Sequence, residues 1–185
     1  MNPTLNCPSG VVGRLPLVID RDCVPQAAQL VRQCVALARA DWDDWETSWD
    51  FQRHPLARLA LQYPGENLFR LYARRQEEME QRLENMKQME DQLNAMFNRI
   101  FGVQGEVPDT VEEQHITLRR PDPAEEARAL ISWMVGMCVG RYDARKPGLR
   151  RTPGGVSPVL DMAQAPTRVV QLMEDIFGAA QLNEN

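Results

Sequence analysis

The stretch Met79-Glu80-Gln81-Arg82-Leu83-Glu84-Asn85-Met86-Lys87-Gln88-Met89-Glu90-Asp91-Gln92-Leu93-Asn94-Ala95-Met96-Phe97-Asn98-Arg99-Ile100 decides the fold class. Met79, Leu83, Met86, Glu90, Leu93, Phe97 and Ile100 recur at alternating steps of four and three, a heptad seam on one face of an α-helix. One seam position is an acid, with Met89 beside it. Leu68, Leu71 and Tyr72 extend the stripe upstream, and Gly102 is a suitable C-terminal stop. A continuous helix over residues 66–101 would be about 54 Å long at its normal rise. Its other face carries Glu77, Glu78, Arg82, Glu84, Lys87 and Asp91, a solvated surface with local ion pairs. The seam predicts packing in an antiparallel hairpin or bundle within the chain. Homodimerisation through the long helix is the alternative, for which the seam is short.

The flanking sequence is also mostly helical in pattern. After Asp20 to Pro25, the residues Ala27, Leu30, Val31, Cys34, Val35 and Ala38 mark one apolar helix face. Trp42, Trp45 and Trp49 follow at steps of three and four, which on a helix gives an aromatic face docked onto the core. An aromatic platform for exposed bases is the competing reading, and it is opposed by the surrounding carboxylates, which repel phosphates. Asp122 caps a helix that begins at Pro123, has Glu125 and Glu126 in its first turn, and buries Ala127, Leu130, Ile131, Met134, Val135 and Cys138. Gly136 and Gly140 suggest close approach by another backbone, since each glycine costs a helix about 1 kcal/mol, and simple tolerance of the two is the alternative. A last amphipathic helix follows Pro166 and stops at Gly178. Short strands are expected at 15–19 and at His115-Ile116-Thr117-Leu118. The expected organisation is a strand and turn remnant over 1–20, a helical spacer over 21–102, a connector and helix over 103–142, and a basic loop with a terminal helix over 143–185. The fold class is mainly α.

Composition bounds the function. The chain has 185 residues, 43% hydrophobic and 25% charged, and a net charge of -5, which is not the balance of a dedicated nucleic-acid-binding domain. No apolar run is long enough to span a membrane, and no basic segment followed by an apolar run opens the chain, so a cytoplasmic protein is expected. The four cysteines are far apart and neither His54 nor His115 stands at ligand spacing from them, so reduced thiols and no zinc are expected. The sequence shows no nucleophile elbow, phosphate-binding glycine loop or metal-ligand cluster. No catalytic, cofactor-binding or metal-binding residue is therefore assigned.

One segment stands apart in charge. Arg141-Tyr142-Asp143-Ala144-Arg145-Lys146-Pro147-Gly148-Leu149-Arg150-Arg151 holds five basic residues and one acid in an otherwise acidic chain. Arg141, Tyr142, Arg145, Lys146, Arg150 and Arg151 are the candidate DNA contacts, because a glycine-containing loop can follow a phosphate backbone. The competing reading has Arg141 and Tyr142 fastening the helix end to the core while the remaining side chains are solvated.

Several runs carry a family resemblance. They are Asn2-Pro3-Thr4-Leu5-Asn6 with Gly10 and Leu15-Pro16-Leu17; Glu46-Thr47-Ser48-Trp49-Asp50-Phe51-Gln52-Arg53-His54-Pro55-Leu56; Leu93-Asn94 with Asn98-Arg99-Ile100-Phe101-Gly102; Ile131-Ser132-Trp133-Met134-Val135-Gly136-Met137-Cys138-Val139-Gly140-Arg141-Tyr142; and Pro147-Gly148-Leu149. Glu174-Asp175-Ile176-Phe177-Gly178 and Leu182-Asn183-Glu184-Asn185 join them near the end. In this order they resemble the region downstream of the catalytic core in large adenine-specific DNA methyltransferases of bacterial phage defence, of the BREX and DISARM type.

The resemblance implies a segment of an S-adenosylmethionine-dependent enzyme that methylates the exocyclic amino group of adenine. That chemistry needs a glycine-rich cofactor loop and an Asn-Pro-Pro-Tyr type motif whose ring stacks on the flipped base. Asn2-Pro3-Thr4-Leu5 lacks the second proline and the aromatic ring, so no catalytic role is carried onto it. The chain is then expected to be inactive alone, a truncated product or excised piece, serving as a helical spacer between methylating core and target recognition. Its partners would be DNA, the core of the same enzyme or other defence proteins. The alternative is an independent interaction protein that binds a partner through its long helix or mimics DNA with its acidic surface.

Overall fold

The computed structural model of the protein describes residues 9–14, 16–150 and 164–182. The elements are α1 (Ser9–Val12), α2 (Val24–Asp43), α3 (Pro55–Gln62), α4 (Leu68–Phe101), α5 (Pro123–Cys138), α6 (Ala165–Phe177) and α7 (Ala179–Leu182), with a single 3-10 turn at Glu113–His115. The fold is mainly helical, as the periodicity predicts.

The long helix begins where its backbone donors find a cap. The Asn67 side chain accepts a hydrogen bond from the Arg70 amide at 2.9 Å, so α4 starts at Leu68, two residues after the expected Glu66. At the other end Gly102 adopts φ 71°. The Gly102 amide donates to the Arg99 carbonyl and the Val103 amide to the Asn98 carbonyl, the paired bonds of a Schellman close.

α4 organises two cores. Its N-terminal half enters the main one, where Leu71 meets Leu56 and Leu59 of α3, Leu130, Trp133 and Met134 of α5, and Leu172 and Phe177 of α6. Its C-terminal half carries Met86 into a smaller cluster with Ile116 and Leu118, backed by Cys34 and Leu37 of α2. α2 and α3 both lie against α4, and α6 packs on α5 and α3. The long helix is thus a spine covered within its own chain.

The buried stripe drifts off the heptad. Met79 and Met86 are buried and Leu83, Leu93 and Ile100 half-buried, as the seam predicts, but Phe97 is 43% exposed while its neighbour Met96 is 2% exposed. Met96 and Asn98 take the inward places near the end of α4, where the Asn98 amide donates to the Val107 carbonyl at 3.0 Å and to Asp109 Oδ1 at 2.7 Å, so the loop that packs there decides which side is covered.

The two expected strands do not form, and the described residues contain no strand or sheet. Leu17, Val18 and Ile19 are exposed and irregular. His115 closes the 3-10 turn, and Ile116 and Leu118 alternate inward to bury against α4 without a partner strand. A period-2 pattern reports only alternating burial. The ladder must come from a second segment, and none lies alongside.

The tryptophan face also differs. α2 ends at Asp43, so Trp45 and Trp49 lie in turns beyond it. Trp45 alone is buried, with the Arg119 guanidinium 3.9 Å over its ring, whereas Trp42 and Trp49 face outward.

Candidate nucleic-acid interface

The basic segment is positioned by the end of α5. Gly140, at φ 78°, reverses the chain, and the Arg141 amide donates to the Gly136 carbonyl at 2.8 Å while the Gly140 amide donates to Met137 at 3.0 Å. The turn throws Tyr142 back onto the helix. A Cβ added at Gly136 would lie 2.6 Å from the Tyr142 ring, so the group that requires this glycine is an aromatic side chain and not the backbone expected from the sequence. Gly140 supplies the positive φ of the turn.

Tyr142 is buried edge-on against Phe51, with ring centroids 5.6 Å apart. Burial, reinforced by the Glu46 carboxylate, pushes its phenol up to about 12. Arg141 lies over the Tyr142 ring at 5.2 Å. Of the candidate contacts, Tyr142 is thus an anchor within the core, and Arg141, Arg145, Lys146 and Arg150 are exposed. Arg151 lies outside the described residues.

The loop is held in shape by bonds from its backbone amides. The Arg150 amide donates to the Arg141 carbonyl at 2.9 Å, the Gly148 amide to the Gln52 carbonyl at 2.7 Å, and the Arg145 amide to Asp143 Oδ1 at 2.8 Å. That last bond, with the charges of Arg150 and Lys146, holds the Asp143 carboxyl below the usual range. Arg145 and Arg150 line a cleft of about 700 Å³ together with Arg53, ahead of α3, and Arg168, in the first turn of α6. Trp133 and Leu172 are among its apolar lining residues, and Asp143 and Asp175 are the acids at its edge. Sequence reasoning missed Arg53 and Arg168. They lie apart from the basic run along the chain, and the packing of α6 on α5 and α3 brings them to it.

Behind the cleft lies a buried ion network. Arg75 of α4 is 0% exposed; its Nη1 donates to Asp44 Oδ2 at 2.7 Å and its Nε to Glu126 Oε1 at 3.2 Å. Arg82 reaches the same Asp44 oxygen at 2.6 Å. His54 caps α3, its Nδ1 accepting from the Leu56 amide at 3.3 Å and its Nε2 lying 3.8 Å from Glu126 Oε2. Burial raises the Glu126 pKa against the pull of Arg75, because taking the carboxylate from water outweighs the pairing. Burial, then the charge of Arg75, lowers the His54 pKa to about 3.

His54 makes stability pH-dependent with a definite sign. The unfolded imidazole takes a proton near pH 6.5, while the folded one stays neutral down to about 3. The unfolded state therefore binds more protons in that window, and stability, full above pH 6.5, is lost as pH falls. Each pH unit within the window costs up to about 1.4 kcal/mol. Urea titrations at pH 7 and 5 should show the loss, and His54→Asn, which keeps an acceptor for the cap, should remove most of it. An equal loss in the variant would assign the acid sensitivity to other groups.

Among the described residues, no group of His, Cys, Asp and Glu is placed to hold a metal ion, and no helix is long and apolar enough to cross a membrane. No family model matches the sequence. Two curated proteins do. The adenine-specific methyltransferase PglX of Lacticaseibacillus casei (strain Zhang) is 28% identical over 155 residues, 83% of this chain. The adenine-specific methyltransferase BrxX of Escherichia coli O9:H4 (strain HS) is 25% identical over 80% of the chain. The chain is homologous to a segment of adenine-specific methyltransferases. It spans only 13% of the length of either relative. A match over 83% of a 185-residue chain takes in the long helix and the end of α5.

Proposed function

We propose that this chain is a non-catalytic helical segment of an adenine-specific DNA methyltransferase of a phage-defence or restriction-modification system. It links the methylating core to target recognition and works in the cytoplasm beside DNA. S-adenosylmethionine belongs to the catalytic core of such an enzyme, and no residue of this chain is assigned to it. The observation that carries the reading is the basic rim of the cleft, where Arg53, Arg145, Arg150 and Arg168 converge from separate parts of the chain. Phosphate contacts of this kind position a duplex without reading its bases. The ion network supports the rim indirectly, because Arg75 ties the start of α5 to α4 and α5 ends in the basic turn.

Counterion release makes the reading measurable. Each phosphate neutralised by an arginine or lysine releases cations, so log K falls with log salt at a slope set by the number of contacts. With a fluorescent duplex titrated across salt concentrations, the triple change of Arg145, Lys146 and Arg150 to alanine should reduce that slope by up to about three units. Arg32→Ala with Arg39→Ala, on the far helix α2, should leave it unchanged. Wild-type affinity and slope in a folded triple variant, or no salt-dependent binding by the parent chain, would overturn the proposal.

A further inference from the structure

Arg58 pairs with Glu78, Arg74 with Glu66, Arg75 with Asp44 and Glu126, Arg82 with Asp44, and Arg119 with Glu125. The arginines of the basic cleft differ. Among the described residues Arg53, Arg145, Arg150 and Arg168 make no ion pair. Arg168 has only the Gln171 side-chain oxygen, at 3.3 Å. Arg53 is half-buried, and its guanidinium, a fork of five donors, meets no acceptor among the described residues. Of the two acids at the cleft, Asp143 gives one oxygen to the Arg145 amide, and the charge of Arg150 beside it holds its carboxyl low. Asp175 is exposed. Four guanidiniums against two carboxylates leave an excess of two positive charges in one cleft.

Size and lining narrow the ligand. At about 700 Å³ the cleft falls within the roughly 300–1,000 Å³ usual for a small-molecule site. Leu61, 68% exposed, and the half-buried Met137 and Ile176 give it an apolar surface beside the arginines. A terminal phosphate monoester carries up to about two negative charges at neutral pH and matches the excess, whereas an internal phosphodiester carries one. A nucleobase brings the flat face that an apolar surface accepts whatever the base. We propose that the cleft is a pocket for a nucleoside phosphate, its terminal phosphate held by the arginines and its base laid on Leu61, Met137 and Ile176. A free nucleotide and the phosphorylated end of a DNA strand share this chemistry. The proposal deepens the preceding reading and rests on its premise that these arginines meet phosphate.

Amide NMR spectra of the full chain locate the ligand. Adenosine monophosphate should shift the amides of Ala57, Leu61, Arg145 and Ile176, while adenosine and inorganic phosphate should each bind at least about tenfold more weakly. Arg53→Gln with Arg168→Gln should weaken the nucleotide about tenfold or more, with the urea midpoint recording that the variant stays folded. Leu61→Ser, at an exposed position, should weaken the nucleotide and leave inorganic phosphate unchanged. A short single strand ending in a phosphate, set against the same strand ending in a hydroxyl, separates the sources. Tighter binding of the phosphorylated strand than of the free nucleotide assigns the pocket to a strand end, and weaker binding assigns it to a free nucleotide. Equal binding of adenosine and its monophosphate, nucleotide binding untouched by the arginine changes, or no shift at these amides with millimolar nucleotide would overturn the proposal. A duplex salt slope that still responds to the triple change would then keep the duplex reading. Nucleotide shifts without any duplex binding would remove that reading and keep the pocket.

Discussion

Arg75→Met should destabilise the folded chain by about 3–5 kcal/mol, close to the whole stability of many domains this size. Arg75 holds Asp44 and Glu126 from the N-terminal part of α4, and neither its side chain nor that of Glu126 reaches solvent appreciably. Removing the cation leaves the Glu126 carboxyl buried with only neutral His54 nearby, at 3.8 Å. Asp44 keeps Arg82 and suffers less. The charge that opposes protonation of Glu126 is then gone, so the variant should unfold most readily at neutral and alkaline pH, where a buried carboxylate must ionise. Changing both partners, Arg75→Met with Glu126→Gln, should recover much of the loss, because breaking a buried pair costs more than replacing it. Urea midpoints of the two single variants and the double variant measure this directly. A loss below about 1 kcal/mol for Arg75→Met would show the pair to be solvated. The DNA contact proposed for the basic loop should weaken along with stability, since the network holds the helix from which that loop departs.

Met79→Ala should cost about 2–5 kcal/mol, while Phe97→Ala, the larger truncation, should cost about 1 kcal/mol or less. The heptad reading alone ranks these positions equally. Met79 is enclosed at the middle of α4, so its removal leaves a cavity as well as lost transfer energy. Phe97 keeps much of its ring in water, and Met96 takes the inward place. Leu83→Ala and Leu93→Ala, half-buried, should fall between. Thermal or urea unfolding of the set checks the order, and a Phe97→Ala loss matching that of Met79→Ala would restore the strict heptad.

Much of the helical architecture was legible along the chain because helices are made by local chemistry. The four-three spacing announced α4, Gly102 its close, and Asp122 with Pro123 the start of α5, where the Asp122 carboxylate accepts from the Ala124 and Glu125 amides. The basic run from Arg141 was plain from charge alone, and the relatives bear out the resemblance that the longer runs suggested. Three-dimensional packing settled what depends on residues distant in sequence. Arg75 sits among solvated charges in the sequence and looks like one of them, because its acids, Asp44 and Glu126, lie 31 residues upstream and 51 downstream. Arg53 and Arg168 join Arg145 and Arg150 only when α6 packs on α5 and α3. Among the described residues, the apolar runs at 16–19 and 115–118 have no second strand beside them that would make either a sheet. Which side of α2 faces inward is equally undecidable from α2: Leu30 and Cys34 are covered, whereas Val31, Val35 and Ala38, expected to be buried with them, are exposed, and only the approach of α4 chooses. Periodicity along a chain states which side chains share a face, and the energy of burial is assigned by whatever element covers it.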